Sequence, residues 1–249
     1  MISTLFSRGL WLGMSLVIVL VGVRSCSLDL DVHTASFERG KGAYSIDPQT
    51  ILQSLDRGAT DVFLPQSTQA QSEQADRPLV QWTQADYWRI VQAMHELVLH
   101  DSTDGWNLYD FSFRLDCTDT TSGPQLAGLE FFRVVKIRER DSRLERFITV
   151  LPRRDSVQWW ESEYYPERAH WEPIEITQIQ VPVEEALRIA DDNGGGLTRI
   201  RMNDQCVIYA SLHQGDSEWQ INYYTIKGSK VFDIYVDSRT GTFRMGSLK

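Results

Sequence analysis

Apolar residues recur along this chain with two different periods, and the switches between them mark the elements. From Trp82, "WTQADYWRIVQAMHELVLHDSTDGW" repeats apolar positions at Trp88, Val91, Met94 and Val98, the spacing of an amphipathic helix. Thr83 is the expected N-cap, and Asp86 three residues on makes a variant of the capping box. At "WNLYDFSFRLDC" the period becomes two. Tyr109, Phe111, Phe113, Leu115 and Cys117 then share one face of a half-buried strand. Two more strands follow in "LEFFRVVKIRER" and "RLERFITVLP", joined through the polar "ERDSRL".

The same order returns. Pro182 opens "VPVEEALRIADDNGGG", with Val183, Ala186, Leu187 and Ala190 on one helical stripe. Gly194 to Gly196 follow this helix and suit a C-terminal cap. A phosphate-cradling loop would precede its helix instead, so none is expected here. "QCVIYASLH" then puts Cys206, Ile208, Ala210 and Leu212 on one face, and "EWQINYYTI" does the same for Trp219, Ile221 and Tyr223. In "VFDIYVDSRTGTFRMG", Phe232, Ile234 and Val236 face one way. Asp237 and Gly241 have the chemistry of a tight turn before a return strand.

Upstream, "SIDPQTILQSLDRG" reads as a short helix over 47–58, with Asp47 as cap, Pro48 at the first position and Gly58 as stop. Its stripe of Ile51, Leu52 and Leu55 is too small to stand alone in water. Residues 27–46 read as polar and irregular, and 65–78 as a flexible linker with almost no apolar residue. The expected fold is therefore α+β: two helix-on-antiparallel-sheet modules, 82–175 and 176–249. A tether over 26–81 and an N-terminal signal or anchor over 1–25 precede them.

That leader carries an uncharged run of 15 residues, Gly9 to Val23, between Arg8 and Arg24. As a helix it spans roughly 22 Å, short of the roughly 30 Å of a bilayer core, so it fits an export signal. The stretch "VRSC" at its end resembles the bacterial lipoprotein box. The resemblance implies lipid on Cys26 and attachment to the cell membrane from outside. An uncleaved signal anchor and conventional cleavage are the alternatives. The second half, about 176–249, resembles the PepSY family of extracytoplasmic modules. The residues that carry this are the helix "VEEALRIADDNGG", then "EWQINYYTI", then "VFDIYVDSRTGTFRMG" with its aspartate-x-x-threonine-glycine turn. The resemblance implies helix-plus-sheet modules and a regulatory or inhibitory role, often towards peptidases, without catalysis.

Charge narrows the function further. A formal net charge of −9 argues against a nucleic-acid binder, which needs a basic footprint. If Cys26 takes lipid, Cys117 and Cys206 remain as an even pair in an oxidising compartment, either bridged or as separate core thiols. From Phe131 to Asp155 eight basic residues, among them Arg138, Arg140 and Arg143, face four acidic ones. This stretch is either a solvated hairpin or a dock for anionic lipid headgroups or an acidic partner. "WWESEYYPERAHWEP" crowds Trp159, Trp160, Tyr164, Tyr165 and Trp171, either as core or as a surface for protein or cell-wall polysaccharide.

Metal and catalytic motifs are weak. His95 and His100 in "HELVLH" lie five apart, about 140° around a helix, where a zinc-protease pair needs four. Both are expected at the solvent edge. No cofactor and no metal are expected, and the aspartic-protease reading of Asp237 fails because Arg239 and Thr240 intervene before the glycine. The function expected is a membrane-tethered binding, regulatory or scaffold protein of the cell envelope. It would hold membrane lipid through its N-terminus and a protein partner through its fold. A polysaccharide binder and an envelope hydrolase are the alternatives.

Overall fold

The computed structural model describes residues 36–66, 80–118, 124–137, 140–164, 172–213 and 215–247. Residues Glu38–Lys249 form one compact unit. Ten strands make up a single sheet. They are β1 Ser36–Ser45, β2 Leu64–Pro65, β3 Asn107–Asp116, β4 Leu126–Ile137 and β5 Arg140–Leu151. The rest are β6 Ser156–Tyr164, β7 Cys206–His213, β8 Glu218–Thr225, β9 Lys230–Asp237 and β10 Phe243–Met245. Their spatial order is β10-β9-β8-β7-β3-β4-β5-β6-β1-β2.

This corrects the expected fold class. The two groups of strands are not separate helix-on-sheet modules: β3 and β7 pair antiparallel from Asp110↔His213 to Asp116↔Val207 and fuse them into one sheet. Period-two patterning reveals which face a strand buries but not which neighbour it takes. Each meander alone would expose a long edge strand, β3 or β7, and pairing the two removes both edges. A disulfide between Cys117 and Cys206, with Cα atoms 5.2 Å apart, staples one end of this seam.

One face of the sheet is largely apolar. Phe111, Phe113 and Leu115 of β3, Leu129 and Phe131 of β4, and Ile148 and Val150 of β5 are buried there. Ile208, Ala210 and Leu212 of β7, with Trp219, Ile221 and Tyr223 of β8, continue the same core. The helices cover this face. Helix α1, Ile51–Asp56, docks by Ile51, and α2, Gln84–Leu97, buries Tyr87, Ile90, Val91 and Met94. Thr83 and Asp86 form the anticipated capping box at the start of α2. Helix α3, Val183–Ala190, buries Val183, Ala186 and Ala190. The first turns of α2 and α3 cap each other. The Gln84 side-chain oxygen accepts the Val183 backbone N–H at 2.8 Å, while the Glu184 carboxylate accepts that of Gln84.

Three local expectations change. Residues 36–45, read as irregular, form β1; Gly40 and Gly42 let it lie against the Trp159 ring, which a Cβ at either position would strike. The glycines after α3 do not end the helical path. The chain kinks at Asn193 and Gly194, the latter at φ +117°, and resumes as α4, Gly196–Arg201. A Cβ on Gly195 would stand 2.5 Å from the Tyr223 hydroxyl, which donates to Asp191 at 2.7 Å, so only glycine allows that approach. His95 is fully buried instead of lying at a solvent edge.

The hairpin after β9 is the turn that "DSRTG" suggests. Asp237 Oδ1 accepts the N–H groups of Arg239 at 2.9 Å and Thr240 at 2.8 Å, and Gly241 takes φ +73°. These backbone donors hold its carboxyl below the usual range. The leader, Cys26 and nearly all of the linker lie outside the described residues. Among the described residues no helix is long and apolar enough to cross a membrane.

Cys117→Ser and Cys206→Ser should each lower stability by about 4 kcal/mol, the chain-entropy value for a loop of this size, with no further loss in the double variant. Urea melts check this; clearly unequal single losses would exclude a mutual bridge. Gly195→Ala should cost about 1 to 3 kcal/mol, because Tyr223 must move off Asp191.

Candidate functional site

The face opposite the helices is the candidate site, and a bulge in β3 creates it. Leu108 pairs with Phe131 and Asp110 with Glu130, so two steps along β3 match one along β4. Tyr109 is the extra residue. It leaves the apolar face expected for it and turns outward, edge-on to Phe132 at 6.3 Å between ring centroids. From there on Asp110 faces outward too, and cross-strand pairing aligns five residues: Trp160, Phe147, Glu130, Asp110 and His213. At about 4.8 Å per strand the row spans about 19 Å.

Beside it runs an uncharged row, Gln158, Thr149, Gly128, Ser112, Ser211 and Gln220. Trp160 and Phe147 are partly exposed, their ring centroids 6.3 Å apart. Among the described residues no helix lies over these rows.

The titratable groups of this face are coupled. His213 Nδ1 donates to the Asp110 carboxylate, and this bond raises the imidazole pKa. Burial, then the neighbouring Asp110 charge, pushes Glu130 up to about 7. Arg143 pairs with Glu145 on the same strand. Its guanidinium lies 5.4 Å from the Tyr109 ring centroid, 5.7 Å from that of Phe132 and 5.9 Å from that of Tyr164. A buried cation ringed by aromatic faces is stabilised by their quadrupoles as well as by its carboxylate.

Ser211 Oγ stands 3.0 Å from His213 Nε2, so Ser211, His213 and Asp110 have the connectivity of a nucleophilic triad. Acyl transfer also requires preorganised donors for the oxyanion. Ser211 sits on an interior strand paired with Ser112 on one side and Gln220 on the other, so the nearby backbone N–H groups are committed to the sheet. Among the described residues the trio is a hydrogen-bonded relay without an oxyanion hole. Among the described residues, a cavity of about 120 Å³ lies near Ile174, Ile179, Leu212 and Arg239, below the roughly 300 Å³ typical of ligand pockets.

A second charged cluster lies on the helix side of the sheet. Arg146, 5 % exposed, stacks 4.0 Å over the Trp106 ring and binds Glu161 at 2.7 Å and Asp101 at 3.2 Å. Its Nη1 is 3.1 Å from His95 Nδ1. Burial, then the Arg146 charge, drives the His95 pKa down to about 4. Burial alone would raise the Asp101 carboxyl, but the Trp106 indole N–H and the Arg133 and Arg146 charges outweigh it and hold it low. With its charges paired inside the core, this cluster positions α2 on the sheet.

Of the residues singled out in the sequence, Trp160, Tyr164 and Arg143 share the open face, while Trp159 packs on β1 on the other side. Arg140 begins β5 opposite Ile137. Arg138, Tyr165, Trp171 and Cys26 lie outside the described residues. Asp110, Glu130, Ser211 and His213 escaped notice because polar positions of alternating strands look like ordinary solvated residues. The described residues hold no group of three or more histidine, cysteine or acidic side chains fit for a metal. Comparison with protein-family models, curated proteins and solved structures finds no match.

The two perturbed groups give opposite pH slopes. His95 titrates near 4 when folded and at its ordinary 6.5 when unfolded. Between these values the unfolded chain binds the extra proton, so stability rises with pH, by at most about 1.4 kcal/mol per unit. Glu130 titrates near 7 folded against an ordinary 4.5. There the folded chain holds the extra proton, and stability falls as pH rises. Glu130→Gln should therefore steepen the rise of stability with pH across the shared window, and His95→Gln should reverse or flatten it. Urea melts at a series of pH values decide; two variants parallel to the parent would refute both assignments.

Proposed function

We propose that this protein is a non-catalytic binding component of the bacterial cell envelope, held outside the membrane through its N-terminus. Its binding surface is the open face of the sheet. The observation that carries this reading is the row Trp160, Phe147, Glu130, Asp110 and His213, which five strands align on a face that no described helix covers. Large side chains aligned on a rigid sheet bind with little loss of entropy, because the fold has already ordered them.

Support for the location comes from the apolar leader and the "VRSC" box, and from the Cys117–Cys206 disulfide, a bond that persists in oxidising compartments. The PepSY-like stretch of 176–249 favours a regulatory role. A hydrolase is the second reading, favoured by the Ser211–His213–Asp110 relay. It requires the serine to react, and a fluorophosphonate probe that labels Ser211 in the folded protein would establish it.

A photoreactive amino acid at position 160 should give adducts in intact cells. The same group at Leu197, exposed on α4 outside the sheet, should give few. Adducts from 197 alone would move the binding surface elsewhere. Cys26→Ser should release a folded protein from membranes; if the variant still sediments with them at high salt, the lipid tether is wrong.

A further inference from the structure

We infer that the open face takes an uncharged, hydroxyl-rich saccharide chain lying across the strands. This inference rests on the open face being the binding surface and adds the chemistry of its ligand.

Charge is the first argument. The ionic groups of this face are largely neutralised within it: His213 with Asp110, Arg143 with Glu145, Arg114 with Asp116, Lys230 with Asp233, and Arg244 with Glu218. A charged ligand that displaced the buried Arg143–Glu145 pair would leave a buried ion without its partner. A neutral ligand leaves them intact.

The groups between those pairs complement a sugar. Trp160 and Phe147 present two neighbouring rings tilted 47° to each other, and the negative faces of such rings attract the weakly positive C–H groups of a pyranose. Next to the rings, Gln158, Thr149, Ser112 and Ser211 bring uncharged amide and hydroxyl groups into line. Over Gly128, which has no side chain, the Ser112 hydroxyl leans in and donates to its carbonyl oxygen at 3.3 Å. Glu130, half protonated near neutral pH, both donates and accepts towards hydroxyls without a full charge.

Shape is the third argument. The two rows run side by side over about 19 Å of sheet, so the ligand is an extended chain contacting several strands.

The test is titration of the full protein with a neutral hexasaccharide of N-acetylglucosamine and with a hexagalacturonate, followed by calorimetry and by tryptophan fluorescence. The neutral oligomer should bind, and the uronate at least tenfold more weakly. Trp160→Ala and Phe147→Ala should each weaken binding tenfold or more, while Trp160→Phe keeps most of it. Unchanged thermal melts for Trp160→Ala and Phe147→Ala separate lost contact from lost fold. Binding of both oligomers with equal strength overturns the charge argument. Binding that survives both alanine variants places the ligand elsewhere. Absence of any saccharide binding overturns the inference; in that case adducts between position 160 and an envelope protein would leave the open-face reading standing with a protein partner.

Discussion

The antiparallel pairing of β3 with β7 is the constraint on which the rest of this structure depends. It turns two four-stranded meanders into one sheet and makes their apolar faces continuous, so that α2 and α3 share a single core. It also builds the candidate site. His213 comes from one meander and Asp110 from the other, and they meet only because Asp110 lies opposite His213 across this seam. If the seam opens, the row breaks in two. Structure and binding surface are therefore governed by the same backbone hydrogen bonds and by the disulfide at their end.

The bulge at Tyr109 is the second determinant. In regular pairing that kept Tyr109 in the ladder, Asp110 would share a face with Leu108; the bulge shifts the alternation, so Asp110 faces outward while Phe111, Phe113 and Leu115 stay on the apolar face. This is why the open face carries a carboxylate beside a carboxylate; burial first, and then the Asp110 charge, raise the Glu130 pKa. On the helix side the protein manages buried charge differently. Arg146 is held by Glu161, Asp101 and the Trp106 ring, so its desolvation is offset by partners on every side.

Local features were legible in the sequence where one residue type has one physical role. Thr83 and Asp86 form the expected cap, Asp237 and Gly241 the expected turn, and the alternation of Cys206 to Leu212 the expected buried face. Pairing was not legible, because an apolar stripe on β3 is equally consistent with an edge strand and an interior one. Tyr109 misled because strict alternation assumes no bulge. His95 misled because a histidine in a helix looks polar until its burial against Phe131, Trp106 and Arg146 is seen. Trp159 and Trp160 were one cluster in the sequence, yet adjacent residues of a strand must point to opposite faces.

The disulfide spans a sequence separation of 89 residues, and its partners stand at the mutual edges of the two meanders. A chain that emerges N-terminus first completes β3 to β6 while β7 is still to come. Throughout that interval β3 presents an unsatisfied row of amides and carbonyls, ready to template any passing strand. The early Cys117 thiol waits with it. Maturation of this protein therefore has a vulnerable stage written into its connectivity, which ends only when the C-terminal third arrives to close the seam.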